Sequence, residues 1–389
     1  MQENLKPILR PERPFFSSGP CPKFPDWQPD IFNDALLNRS HRSEVGRDRI
    51  ALILKETRDL LKLPPEYALA VTPASGTGAI EMAFWSLLGQ RPVDVLAFEQ
   101  FGYQWAHDIL QELKIDGTRL FKADYGYLPD INKINFSHDV VFPWTGTSAG
   151  ITFENENFIP SDRQGLVLCD ASAAIFMREF IYEKFDIISF SWQKALGSEA
   201  AHGMLIFSPR ALERLKNYTP PWPIPKIFRL KNNNQILENF FKGETLNTPS
   251  LLCIEDYLYA LKYAKQIGGL KALIFRVEEN YEYLQNFINQ TAWLENLVLE
   301  EKHRAHNCVC LKIIDPLFQK QSLEEQKNFL KIFHSLLEQE KVAFDIAHYR
   351  HAPLGLRIWC GPTIRIQDLK LLTPWLNWAF LEAMRIIRG

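Results

Sequence analysis

From residue 67 to residue 207, short apolar runs alternate with segments patterned for helices, and this alternation restricts the chain to few architectures. Tyr67-Ala68-Leu69-Ala70-Val71-Thr72 reads as a buried strand, and Ile80, Ala83, Phe84, Leu87 and Leu88 then share one helix face. Val93–Phe98 is a second strand and Phe101–Leu113 a second helix, while Val140–Phe142, Gly165–Asp170, Asp186–Phe190 and Gly203–Phe207 continue the strands. Nearly continuous apolar strands separated by helices predict an α/β fold with a mostly parallel central sheet covered on both faces.

The flanks of this region read differently. Residues 1–30 are rich in proline and aromatics, an extended arm leading to a turn at Ser17–Pro20. Ile50, Ile53, Leu54, Leu60 and Leu61 mark a helix over 46–63, which Pro64-Pro65 stops. Two long helices follow the sheet region, Pro249–Gln266 and Leu270–Gln290. Beyond about residue 290 the pattern becomes a smaller α+β unit, with strands at Val309–Ile314 and Val342–Ala347 and helices at Ser322–Glu338 and Gln367–Ile387. The expected division is an arm over 1–15, a large domain over 16–268 and a small C-terminal domain over 269–389. Asn232-Asn233-Asn234 reads as a short polar turn.

Composition narrows the function classes. With 389 residues, 46% of them hydrophobic, the chain can bury a large core. A net charge of -2 offers no basic surplus for nucleic acid or an anionic membrane. The six cysteines are scattered without zinc spacing, as expected of reduced thiols in the cytoplasm. The N-terminal segment lacks an apolar signal core, and no uncharged run is long enough to span a bilayer.

Two strand ends carry the chemistry. Gly165–Asp170 ends in a carboxylate, and Lys194 stands just past Asp186–Phe190, 24 residues later, before Ala195-Leu196-Gly197. If those strands are neighbours, both groups reach one sheet edge. Pyridoxal phosphate (PLP) needs such a pair, an amine for a Schiff base and a carboxylate that keeps the pyridine nitrogen protonated. Taken singly, Lys194 reads equally as a solvated lysine and Asp170 as a turn or capping residue. Ser75-Gly76-Thr77-Gly78 joins a strand to a helix N-terminus, which is either an anion site or an ordinary glycine-rich turn. Ser40-His41-Arg42-Ser43 is either a phosphate or carboxylate clamp or a helix-capping loop. Arg357, in an apolar strand-like run, needs a buried partner, either a substrate carboxylate or a structural counter-ion.

Together these segments resemble a known family, the phosphoserine aminotransferases, within the class V, fold-type I PLP enzymes, and among them the α-proteobacterial and archaeal branch. The resemblance runs nearly end to end. It rests on Phe16–Pro20, Ser40-His41-Arg42, Pro73–Gly78, Ser191-Trp192-Gln193-Lys194, Ala200–Met204, Pro225–Leu230, Asn247-Thr248-Pro249-Ser250 and Gly355–Trp359. It implies that Lys194 carries the cofactor as a Schiff base and shuttles the substrate Cα proton, and that Asp170 pairs with the ring nitrogen. Phe101 would stack on the ring, Thr147 would bond its phenolic oxygen, and Gly76, Thr77 and Gln193 would hold its phosphate. Asn247 and Thr248 would reach that phosphate from the other subunit of a homodimer.

The resemblance also assigns the substrates. Arg357 would hold their α-carboxylate, while His41, Arg42, His348 and Arg350 would hold the phosphate of phosphoserine or the γ-carboxylate of glutamate. The implied reaction is ping-pong transamination in serine biosynthesis, and in some members also in vitamin B6 synthesis. Two positions depart from many members: Thr77 stands where an arginine is common, and Tyr349 separates His348 from Arg350. The competing readings are an alanine- or serine–glyoxylate transaminase, which has no use for a second anion clamp, a cysteine desulfurase, which needs a mobile cysteine, and a non-catalytic PLP-fold protein.

Overall fold

The computed structural model describes residues 5–232 and 235–388, so Asn233 and Asn234 of the expected polar turn, the first four residues of the arm and Gly389 lie outside it. The chain begins with α1 (Glu44–Leu61), β1 (Ala68–Pro73), α2 (Ser75–Leu87), β2 (Val93–Ala97), α3 (Gln100–His107), β3 (Arg119–Lys122), β4 (Asp139–Pro143) and the short pair β5 (Thr145–Gly146) and β6 (Ile151–Thr152). It continues through β7 (Val167–Asp170), β8 (Ile187–Ser191), β9 (His202–Phe207), α4 (Pro209–Asn217), the short pair β10 (Lys231–Asn232) and β11 (Gln235–Ile236), and α5 (Leu251–Gln266). After α6 (Gly269–Asn289) come β12 (Leu294–Asn296), β13 (Cys308–Ile313), α7 (Pro316–Gln319), α8 (Leu323–Gln339), β14 (Leu356–Trp359) and α9 (Ile366–Arg388).

Seven strands form the main sheet in the order β1-β9-β8-β7-β4-β2-β3. All pairings from β8 to β3 are parallel, and β9 alone runs against its neighbours β1 and β8. Except for the edge strand β3, whose residues are exposed or half-buried, the strands are buried because helices cover both faces, which is why they read as unbroken apolar runs rather than alternating ones. β7 and β8 are neighbours, with Asp170 opposite Ser189. The chain therefore leaves β8 at the same carboxyl edge where β7 presents Asp170.

A close approach across β9 brings α2 to that edge. Gly203 pairs with Thr72 of β1 and with Ser191 of β8. A Cβ on Gly203 would collide with the carbonyl of Ser75 and lie 2.8 Å from the Ala79 Cβ. Only glycine lets the first turn of α2 settle there. The tract expected as a loop is shorter than the sequence implied, since the left-handed residues Ala74 and Ser75 complete the turn and Gly76, Thr77 and Gly78 belong to the helix.

The small sheet runs β12-β13-β14, all antiparallel. The strand expected over Val342–Ala347 does not form. Lys341 and Asp345 take positive φ, 53° and 59°, which breaks the extended run. What remains are single bridges, Phe344 to Phe15 of the arm and Ala347 to Leu356. The Arg357 N–H still donates to the Ile346 carbonyl (2.8 Å), so β14 is held from both sides. The arm packs on the small domain, with the Trp375 indole donating to the Leu9 carbonyl at 2.8 Å.

At the opposite end of β7 and β8 sits a buried polar knot. The Asp186 carboxylate accepts from Arg163 (3.1 Å), the Ser208 hydroxyl (2.9 Å) and the Val167 N–H (2.9 Å), and Asp186 and the Arg163 side chain are almost fully buried. Removing one partner strands the other's charge. Asp186→Ala is therefore expected to lower the unfolding free energy by about 3–5 kcal/mol in urea titration; a loss below about 1 kcal/mol would show that the knot does not anchor these strands.

Candidate active site

Three residues past β8, Lys194 enters a dry pocket. The turn is clamped on both sides: the buried Trp192 indole stacks on Tyr257 at 4.4 Å and 7°, and the Gln193 carbonyl accepts the Cys21 N–H at 2.8 Å. Lys194 is 9% exposed. Its Nζ donates to the Ser18 carbonyl and lies 6.0 Å from the Trp359 ring centroid. Burial lowers the amine's pKa below its usual value, and the nearby Arg357 charge adds to this, while Asp170 opposes it. Burial thus shifts the balance toward the neutral, nucleophilic form.

Asp170 stands at the end of β7, its Oδ1 accepting the Ser172 N–H (3.0 Å) and the Ser189 hydroxyl (3.4 Å). Burial pushes its carboxyl pKa up, and Ser172 and the Lys194 charge pull it down. A cationic ring nitrogen placed against it would hold it ionised.

The residues present fit PLP. A Cβ on Gly76 would fill a cradle, lying 2.6 Å from Ser172 Oγ and 3.2 Å from Ser191 Oγ. The Ser191 hydroxyl, which can donate to an anion, is buried with no hydrogen-bond partner among the described residues, and the positive end of α2 faces the same space. Thr77 follows on the exposed side of the first helical turn.

Strands β13 and β14 complete this cluster. Cys308 on β13 donates to the Thr147 carbonyl (3.2 Å) and contacts Ser18 Oγ (3.3 Å), so a chain of contacts joins Thr147 to Lys194 through Ser18. Cys308 is locked in a strand, unlike the mobile cysteine of a desulfurase. Arg357 on β14 pairs across to Cys310. Its Nε is buried without a partner, and the structural ion pair left open by the sequence is not formed among the described residues. His348 lies close enough for burial and the Arg357 charge to lower its pKa. Phe101 and Arg357 both contact Tyr349.

No hydrogen bond or ion pair among the described residues joins His41, Arg42, Arg350, Asn247 or Thr248 to the cluster around Lys194. The serines around His41 do cap a helix: Ser43 Oγ accepts the Gly46 N–H at the start of α1 (3.3 Å) and donates to the Ser40 carbonyl (2.6 Å). Arg42 is left exposed, and His41 Nε2 is buried without a partner. The Asn247 side chain donates to the Thr248 carbonyl at 3.2 Å and its own carbonyl accepts from the Thr245 hydroxyl at 2.7 Å, while Ser250 anchors the loop to His202 at 3.0 Å. Ser18 and Cys308 had no assigned role in the sequence; Ser18 lies inside the Phe16–Pro20 motif, but nothing local marked its carbonyl as the partner of Lys194.

Known proteins share this architecture. The chain is 48% identical over 376 residues to a phosphoserine aminotransferase of Methanosarcina mazei, covering 97% of this chain and 99% of that one. Among solved structures it superposes on a PLP-bound phosphoserine aminotransferase of Trichomonas vaginalis with a TM-score of 0.75, at 17% identity, covering 93% of this chain and 99% of that one. An alanine–glyoxylate aminotransferase of Nostoc sp. superposes equally well, with a TM-score of 0.76, at 17% identity, covering 96% and 97%. No family model matches the chain.

The lowered pKa of Lys194 has a sign that can be measured. In cofactor-free protein, the unfolded chain binds a proton that the folded chain lacks over the range between the lowered value and 10.5. Stability contributed by this group therefore rises with pH across that range. The unfolding free energy of wild type minus that of Lys194→Met is expected to grow from neutral pH toward 10.5; a difference that stays flat or shrinks would contradict a desolvated amine.

Proposed function

This chain belongs to the phosphoserine aminotransferase family, and we infer that its residues exchange an amino group between glutamate and 3-phosphohydroxypyruvate, giving O-phosphoserine and 2-oxoglutarate. It is a PLP-dependent aminotransferase. The observation that carries the residue assignment is the buried Lys194 amine at the sheet edge shared with Asp170. When bound, PLP supplies an electron-withdrawing ring that stabilises negative charge at the substrate Cα.

Each residue then has a task. Lys194, desolvated in its pocket, would hold the cofactor and would move the proton at Cα. Asp170 keeps the ring nitrogen protonated, and Phe101 and Thr147 orient the ring. Gly76, Thr77 and Gln193 hold the phosphate, together with Asn247 and Thr248 contributed by a second copy of the chain. Arg357 takes the substrate α-carboxylate, where its uncommitted N–H donors fit a bidentate grip. His41, Arg42, His348 and Arg350 take the distal anion.

This reading includes a homodimer, in which Asn247 and Thr248 come from the second copy of the chain. It includes the division into 16–268 and 269–389, and a cytoplasmic location, in keeping with free thiols at all six cysteines. Among the described residues, no helix is long and apolar enough to cross a membrane. The alanine–glyoxylate reading has an equal claim on the fold. It has no use for His41 and Arg42 as a clamp, so the distal anion is what separates the two.

Arg42→Ala is expected to raise the KM for phosphoserine and for glutamate by about ten-fold or more, the cost of a lost charge-assisted contact, with alanine a poor donor for both proteins. Unchanged kinetics with phosphoserine and glutamate, or better turnover with alanine, would defeat the assignment. Sharing of sites can be read separately. Lys194→Ala mixed with the Asn247→Ala/Thr248→Ala double variant should recover roughly a quarter of wild-type activity through mixed dimers with one intact site; no recovery on subunit exchange would place both lesions in the same site.

A further inference from the structure

Tyr349 is the residue through which Phe101 and Arg357 are linked. Its ring centroid lies 5.7 Å from that of Phe101, with the planes inclined at 43°. The Arg357 guanidinium carbon lies 5.3 Å from the centroid of the same ring, inside the ~6 Å reach of a cation–π contact. Phe101 belongs to α3 of the large domain and Arg357 to β14 of the small one. One half-buried side chain thus touches a group from each.

Arg357 has no counter-carboxylate among the described residues, and its Nε is buried without a partner. A carboxylate held there would occupy the donors that a substrate needs. An aromatic face attracts the guanidinium while leaving the N–H fork free in its plane. The contact with Phe101 in turn fixes where that face stands relative to the ring-stacking position.

We propose that Tyr349 is a positioning residue that holds Arg357 ready for the α-carboxylate of either substrate and ties its placement to Phe101. This rests on the role given to Arg357 above. The working part is the ring rather than the hydroxyl, so the residue type demanded is aromatic.

The test uses holoenzyme carrying Tyr349→Phe, Tyr349→Leu or Tyr349→Ala. Binding of glutarate, a dicarboxylate that cannot transaminate, is followed by calorimetry, beside KM and kcat for phosphoserine and 2-oxoglutarate. Tyr349→Leu and Tyr349→Ala are expected to weaken glutarate binding by about ten-fold. KM for both substrates should rise in parallel, with kcat within about three-fold of wild type, the pattern of lost uniform binding. Tyr349→Phe should stay within about two-fold of wild type. Wild-type glutarate affinity in Tyr349→Leu, or a Tyr349→Phe defect as large as that of Tyr349→Ala, overturns the proposal. If Tyr349→Ala does not fold, the Leu and Phe variants decide. Wild-type turnover of phosphoserine tests the family reaction separately, since the glutarate measurement needs no turnover.

Discussion

The parallel pairing of β7 with β8 is the constraint on which the site depends. Strand register is a hard variable, because a slip by one residue would turn every side chain to the other face of a sheet buried on both sides. With Asp170 opposite Ser189, the carboxylate and the exit toward Lys194 are fixed at one edge before any loop is considered. The Asp186 knot holds the far end of the same two strands. It acts on the site only by keeping the register.

Desolvation then turns position into chemistry. Trp192, stacked on Tyr257, and the arm segment around Ser18 and Cys21 close water away from the Lys194 amine. The same dryness raises the carboxyl pKa of Asp170. Those opposite shifts suit a site built to receive a ring with a basic nitrogen on one side and a reactive carbonyl on the other. Around them lie donors without partners among the described residues: Ser191 Oγ and Arg357 Nε. Leaving buried polar groups unpaired costs stability in a protein with nothing to bind, and they are accounted for by an anionic cofactor and substrate.

Much of the fold was legible because buried parallel strands write themselves as apolar runs. β1, β2, β4, β7, β8 and β9 all fall within a residue or two of the runs read from sequence. The run at Val342–Ala347 was misread, since its composition suits a strand while Lys341 just before it and Asp345 within it take the left-handed conformation. The start of α2 was displaced for a similar reason: two non-glycine residues, Ala74 and Ser75, take the left-handed conformation that glycine would be expected to hold. Sequence composition names backbone preferences, and tertiary packing overrode them at both places.

By itself the sequence determined the α/β class, the candidate Schiff-base lysine with its aspartate, and the family to which they point. These follow from local apolar patterns and from short motifs that are contiguous in the chain. Only the tertiary structure decided that Ser18 and Cys308 close around Lys194, that Arg357 is left without a counter-ion, and that Tyr349 joins it to Phe101. Ser18 lies 176 positions from Lys194 and 290 from Cys308, and whether a charge is paired, or an amine dry, depends on what packs against it in space rather than on its neighbours in sequence.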